Sequence, residues 1–348
     1  MTAASTTFPL WSTLPMSLCV AWTLTAAVRN YAVRSNLMDH PNERSSHVTP
    51  TPRGGGVAIV GAFLTSIVVV AWLGGVEWPI AVALGGGGTV VAVVGFADDR
   101  SPLSARTRFA GHLLAACWVA WYLSPLPALP ALGMHLPLGL AGSVFAALLM
   151  AWSINLFNFM DGIDGIASME AVTVGISGAL LWALTSASSN WLVAALLACS
   201  TAGFLIWNFP PARIFMGDAG SGFLGLMIAS LALWAGTEHP VLFWAWLILY
   251  GCFMVDATTT LIRRVQRGEK FHVAHRSHAY QFASRRFGSH LPVTLAVGAI
   301  NLLWLLPIAA LVAFGHLDGL FGLVIAYTPL IALAFHFKAG DRQSQEAM

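Results

Sequence analysis

The sequence predicts an all-α, polytopic membrane protein: a helical bundle of about eleven transmembrane helices, N-terminus outside and C-terminus cytoplasmic. Three observations carry this expectation. Hydrophobic residues make up 57% of the 348 residues, charged residues only 9%, and mean hydropathy is +0.74, whereas a globular domain carries about 25% charged residues. Apolar stretches of about 20 residues, enough to cross a hydrocarbon core as a helix, recur along the whole chain. The basic residues, finally, fall on alternate connections only.

Taken in order, breaks at charged or Gly/Pro-rich positions leave helices near 9–29, 54–74, 79–96, 109–124, 138–158, 168–187, 190–207, 220–236, 240–262, 291–314 and 318–337. No basic segment precedes the first, which therefore reads as a retained helix and not a cleaved signal. The third holds Gly85-Gly86-Gly87-Gly88. These are small residues suited to close helix packing; no Lys and Ser/Thr follow at the spacing of a phosphate loop. The fourth is short, and the ninth carries Asp256, an acid inside the membrane. Cys19, Cys117, Cys199 and Cys252 all lie in apolar stretches without metal-ligand spacing and read as small core hydrophobes. No fixed-period repeat is present, which argues against an inverted-repeat transporter.

Eleven crossings place connections 30–53, 97–108, 159–167, 208–219, 263–290 and the C-terminal tail on one side. Those connections and their helix ends hold all 17 Lys and Arg residues, and the opposite side holds none. The positive-inside rule makes the basic side cytoplasmic. The net charge of +2 gives no reason to expect a nucleic-acid partner. One integral membrane domain over 1–348, with its catalytic loops on the cytoplasmic side, is the expected organisation.

Five polar clusters lie on that side. The first runs from Asp39 through Arg44 and His47 to Arg53 and Gly54-Gly55-Gly56; its cations suit phosphate, and its glycines allow close backbone approach. An ordinary solvated loop explains it equally well. The second is Asp98-Asp99, adjacent carboxylates that repel unless a cation or a proton intervenes. The third is Asn155, Asn158, Asp161 and Asp164, recurring every three positions until Gly162 and Gly165 loosen the helix. Amides and acids at the end of an apolar helix are costly without partners. The fourth is Phe215-Met216-Gly217-Asp218-Ala219-Gly220-Ser221, where Asp218 reads as a helix N-cap, a metal ligand or both. The fifth is the connection 263–290, with seven Lys or Arg, among them Arg264 and Arg276, and with His275 and His278 three apart. Lipid headgroups would account for its charge, and phosphate recognition for charge and histidines together.

In order along residues 39 to 281, these clusters resemble the polyprenyl-phosphate N-acetylhexosamine-1-phosphate transferases. The motifs are Asp39-x-Pro41-Asn42-x-Arg44, Pro52-x-Gly54-Gly55, Asp98-Asp99, Asn155-x-x-Asn158-x-x-Asp161-Gly162-x-Asp164-Gly165, Phe215-Met216-Gly217-Asp218-x-Gly220-Ser221 and His275-x-x-His278. Two departures stand out. Ser45 occupies a position that is Lys in many members, and Ser277 replaces a histidine of the family's His-x-His-His. The string from His275 to Gln281 is most similar to the O-antigen-initiating branch.

The resemblance implies transfer of an N-acetylhexosamine 1-phosphate from a UDP-sugar to undecaprenyl phosphate, releasing UMP, with Mg²⁺ (Mn²⁺ as a substitute) in a bacterial inner membrane. It implies catalytic roles for Asp98, Asp99, Asp161 and Asp218, with Asp218 and Asp161 on the metal and Asp98 orienting the lipid phosphate. Arg44, His47, Asn155, Asn158, Asp164, Phe215, Arg264, His275, Arg276 and His278 would bind substrate, Phe215 by stacking on uracil. The sugar is not legible, and a homodimer is left open. Two other classes fit parts of the pattern. A Mg²⁺-dependent membrane prenyltransferase would leave the His/Arg loop and the Phe-Met-Gly-Asp segment unexplained. An ion- or sugar-coupled transporter would place its charges near the bilayer midplane, whereas in this sequence only Asp256 reads as even moderately deep.

Overall fold

The computed structural model describes residues 9–41, 49–269 and 275–341. Each of the eleven apolar segments is a helix or a pair of helices. In chain order these are α1 (Thr13–Arg34), α2 (Gly56–Trp72), α3 (Trp78–Arg100), α4 (Ala105–Leu123), α5 (Gly139–Met160), α6 (Ile166–Thr185), α7 (Trp191–Asn208) and α8 (Asp218–Glu238). The series continues with α9 (Pro240–Leu249), α10 (Gly251–Gln266), α11 (Ala279–Phe287), α12 (Leu291–Ile300), α13 (Leu306–Ala313) and α14 (Gly319–His336). Two short hairpins complete it: β1 (Met38–Asp39) with β2 (Thr51–Pro52), and β3 (Leu129–Ala131) with β4 (Met134–Leu136).

Among the described residues, eight helical spans are long and apolar enough to cross a membrane, or nine when α9 and α10 count as one. The two remaining segments fall short for visible reasons. Helix α2 has 17 residues, and α4 carries Arg106, Arg108 and His112.

The ninth segment departs from a single straight helix, since α9 and α10 meet at Tyr250 with a bend of 69°. The tenth is also interrupted: five residues of π-helix, Asn301–Leu305, separate α12 from α13. Inside the basic connection 263–290 lies α11, a short helix ended by Gly288 at φ +63.

Helix α8 occupies the centre, and its apolar span is wholly buried. It packs on α2, α3, α4, α5, α6 and α9, as expected of a helix apolar all round. Glycines set the distances. A Cβ on Gly56 of α2 would lie 2.3 Å from the Gly220 Cα, and one on Gly225 would lie 2.2 Å from the Ser153 carbonyl oxygen of α5. The four-glycine run in α3 packs as expected for small residues. Cβ atoms on Gly86, Gly87 and Gly88 would each come within 2.6 Å of Trp118, Val119 and Phe223 respectively. Outward positions such as Trp121 (81% exposed) and Leu140 (84%) face away from the bundle.

Candidate active site

The polar clusters converge at one end of the bundle. The loop Phe209–Gly217 is stitched to the segment before α2: Phe215 N–H donates to the Pro52 carbonyl (2.8 Å), Gly55 N–H to Phe215 (2.9 Å) and Gly56 N–H to Met216 (2.8 Å). Asn208, at the end of α7, accepts from Gly165 N–H (3.2 Å) and the Ser168 hydroxyl (3.1 Å) and donates to the Ile214 carbonyl (3.0 Å). One buried amide thereby fastens the α5–α6 turn to the Phe215 loop. Between these loops lies a cavity of about 270 Å³, walled by Asp39, Arg53, Asp99, Asn158, Asp161 and Asp164. Asn208, Phe215, Asp218, Ser221, Gln281 and His290 close it.

Asp218 is not the cap of α8. Gly217 takes that place at φ +75, a backbone that favours glycine, and a Cβ there would lie 2.5 Å from the Asp99 carboxylate. Asp99 itself serves the helix: its carboxylate accepts from the N–H groups of Asp218 (3.2 Å) and Ala219 (3.5 Å). A carboxylate from α3 thus satisfies orphan donors at the start of α8, where its charge also suits the helix dipole.

Asp161 ends α5 and opens onto the cavity, enclosed by protein on its other sides. Among the described residues its carboxylate accepts no hydrogen bond. Burial, then the neighbouring charges of Asp218, Asp99 and Asp164, push its pKa well above the usual carboxylate value. Asp164 is held differently. It accepts from Ala212 N–H (3.0 Å) and meets His290 Nδ1 at 3.2 Å, while Thr294 donates to its carbonyl (2.7 Å). Asn158 donates to the Ser221 hydroxyl (3.3 Å), joining α5 to α8.

Several expected site residues lie elsewhere. Asp98 does not wall the cavity: it is taken up by Arg108 Nη1 (2.8 Å) and Leu103 N–H (2.6 Å). Arg108 also stands 3.8 Å from Asp218, so Asp98 holds a cation beside the cavity. Asn155 is a turn further in, donating to the Ala151 carbonyl (2.7 Å) and facing His112. Arg264 is 3% exposed and paired with Glu269 (2.9 Å).

The His loop is inward too. His278 is 2% exposed, stacked between Phe159 and Tyr280 and 3.4 Å from Asp256. His275 stacks on His278 (4.8 Å between centroids), and burial together with His278 and Arg264 pushes its pKa down to about 3. A neutral imidazole there offers a hydrogen bond and no positive charge. Arg276 accepts Arg285 at its carbonyl (3.2 Å). Arg44 and His47 lie outside the described residues. Asp256, read as an intramembrane acid of open role, caps α11 by accepting from Ala279 N–H (2.9 Å) and Tyr280 N–H (3.0 Å). Asn208 and His290 belong to the cavity wall and to no expected motif.

A second, apolar groove of about 340 Å³ runs between α10, α11, α12 and α14, walled by Phe253, Val255, Val297, Ile300, Leu330 and Phe337 among others. It abuts the polar cavity through the backbone. Met160 lines the groove and Asp161 the cavity; Tyr280 lines the groove and Gln281 the cavity. Tyr280 Oη donates to the Phe159 carbonyl (3.0 Å). It passes so close to Gly162 that a Cβ there would lie 2.2 Å from the hydroxyl.

Comparison with known proteins agrees with this architecture. The family described as glycosyl transferase family 4 matches residues 81–236. The chain is 31% identical over 281 residues to a probable undecaprenyl-phosphate N-acetylglucosaminyl 1-phosphate transferase of Bacillus subtilis, covering 78% of this chain and 77% of that protein. It is 31% identical over 338 residues to a decaprenyl-phosphate N-acetylglucosaminephosphotransferase of Mycobacterium tuberculosis, covering 87% and 80%. A phospho-N-acetylmuramoyl-pentapeptide-transferase of Deinococcus radiodurans is 34% identical over 196 residues, 51% of this chain and 60% of that protein. With five of the six ordered motifs contributing to one cavity, these relationships make the chain a multi-pass membrane enzyme of glycosyl transferase family 4, the phospho-N-acetylhexosamine transferases that its sequence resembles.

Proposed function

We propose that this enzyme transfers an N-acetylhexosamine 1-phosphate from a UDP-sugar to undecaprenyl phosphate at the cytoplasmic face of a bacterial inner membrane. UMP is released, and the lipid-linked sugar starts an O-antigen or a related envelope polysaccharide. The observation that carries the reading is the abutment of the acidic cavity and the apolar groove, which suits an amphiphilic acceptor: phosphate in one, prenyl chain in the other. The relatives named for polyprenyl-phosphate substrates support it.

The reaction joins an oxygen of the lipid phosphate to the sugar-bearing phosphorus and breaks that phosphorus's bond to UMP. Such a transfer needs little covalent help and depends on positioning and charge neutralisation. A phosphate monoester with a second pKa of about 6 is largely dianionic near neutral pH, so no dedicated base is required.

The donor set suits Mg²⁺. Asp99, Asp161 and Asp218 supply hard oxygen ligands whose repulsion a divalent ion would relieve. Yet among the described residues no three acidic, His or Cys side chains converge closely enough to hold a metal alone. Mg²⁺ is typically held by one or two carboxylates completed by substrate phosphates. Asp218 and Asp161 would be those ligands, and the bound ion would neutralise charge on the transferring phosphoryl group. Asp99 fixes the start of α8, and thereby Asp218; Arg108, held by Asp98, adds a positive charge beside it. Of the cavity-lining residues, Phe215 and Asn158 would take the nucleotide and Arg53 the diphosphate.

UMP release by the purified protein, given undecaprenyl phosphate, Mg²⁺ and a panel of UDP-N-acetylhexosamines one at a time, tests this. UMP should appear only when lipid phosphate and metal are both present, and the best donor names the sugar. Absence of UMP from every donor, in a preparation shown to be folded, would overturn the reading.

A further inference from the structure

Glu170 lies one turn into α6 with no exposed surface, and the mechanism above does not use it. A buried acid within a membrane span is costly and calls for named partners. Its partners sit at two irregular points of the backbone. Asn301, also without exposed surface, donates through Nδ2 to Glu170 Oε2 (2.7 Å) and to the Thr173 hydroxyl (2.8 Å). Asn301 is the first residue of the π-helical turn between α12 and α13, an irregularity frequent at functional sites. The carboxylate lies near the backbone N–H of Phe253, but its second oxygen, Oε1, is buried with no hydrogen-bond partner among the described residues; Phe253 is in the first turn of α10, just past the 69° bend. That N–H is one of the donors left without an intrahelical partner at a helix start.

These two irregular points border the apolar groove. Cys252 and Phe253 line it from α10, and Ile300, the neighbour of Asn301, lines it from α12. One carboxylate therefore bonds the wall at the π turn, through Asn301, and lies against the wall at the bend.

We propose that Glu170 is a positioning residue for the acceptor lipid: by holding Asn301 at the π turn, against the start of α10, it fixes the width of the groove that takes the prenyl chain. This rests on the reading of that groove as the acceptor's chain site. The donor cavity lies on the other side of Met160 and Asp161, and α12 reaches it through His290 and Thr294, at the end of the helix away from Asn301.

Steady-state UMP release by the full chain in lipid nanodiscs tests it, with undecaprenyl phosphate and the UDP-sugar varied separately. Glu170→Ala should raise KM for undecaprenyl phosphate by about 10-fold or more while KM for the UDP-sugar stays within about twofold. Glu170→Gln, whose one carbonyl oxygen keeps the acceptor for Asn301, should stay within about threefold of the parent in both. Should Glu170→Ala not fold, Asn301→Ala carries the same expectation, a rise in acceptor KM of about threefold or more with donor KM held. An unchanged acceptor KM, or donor and acceptor KM moving together, assigns Glu170 to packing alone and overturns the proposal. A parent protein releasing no UMP from any pair of substrates would instead sink the proposed function.

Discussion

At the scale of single residues, Asp161 is the group whose chemistry is most exposed to test. Its raised pKa means that the folded protein binds a proton more tightly than the unfolded chain does. Stability from this group is therefore full below about pH 4 and falls as pH rises toward the folded pKa, where Asp161 ionises against its neighbours. A divalent ion bound by these acids offsets that loss. Mg²⁺ should raise the apparent Tm by several degrees at about pH 8 and by little at about pH 5, as read by thermal unfolding in detergent. Asp161→Asn should lose most of that gain, show a Tm without Mg²⁺ at or above the parent's, and cut turnover by about 100-fold or more. A gain equal at both pH values would remove Asp161 from the metal site. Not every site residue could be read from the sequence. Asn158, Asp161, Asp164, Phe215 and Asp218 announce themselves as polar residues or glycine-flanked turns at helix ends. Asn208, His290 and Glu170 are isolated in chain order, and only folding gives them partners.

Among the elements, the recurring device is a carboxylate on one helix that satisfies the first N–H groups of another. Asp99 does this for α8 and Asp256 for α11, and Glu170 faces the start of α10. Sequence inspection finds caps adjacent in chain order, as Asp318 is for α14, and so it leaves Asp218 open as cap or ligand, where Asp99 serves the helix start from 119 positions away. The helices themselves were legible because membrane spans are set by length and apolarity. The bend at Tyr250 and the π turn at Asn301 were not, because they depend on partners across the bundle. Helix contacts are set by glycine, and the contrast between positions is testable. Gly56→Ala drives a methyl into the Gly220 backbone at 2.3 Å, while at Gly85 the nearest atom, Leu64 Cδ2, is 3.9 Å away. Gly56→Ala should abolish the monodisperse peak in size-exclusion chromatography or lower Tm by about 10 °C or more, and Gly85→Ala should change Tm by no more than about 2 °C. Equal behaviour of the two variants would mean that α2 and α8 do not cross at those glycines.

For the molecule as a whole, the charge pattern and the fold answer to each other. Of the six connections that, with their helix ends, carry every Lys and Arg, five contribute acids, amides or a histidine to the cavity, so one end of the bundle is both basic outside and acidic within. A C-terminal green fluorescent protein fusion should fluoresce in cells, and alkaline phosphatase joined after Thr237 should be active, since the positive-inside rule puts those points on opposite faces. Two reporters giving the same sidedness would break the eleven-crossing arrangement.

The backbone junctions Met160–Asp161 and Tyr280–Gln281 have a further consequence. Solvent character changes from oil to water across one peptide unit, about 3.8 Å. A molecule that spans the site must make the same change over the same distance. One that is polar throughout, or greasy throughout, can occupy one chamber and leaves the other to be filled by something else. The pair of chambers thus acts as a gauge of where along a molecule its polarity switches, independent of how tightly either half is held.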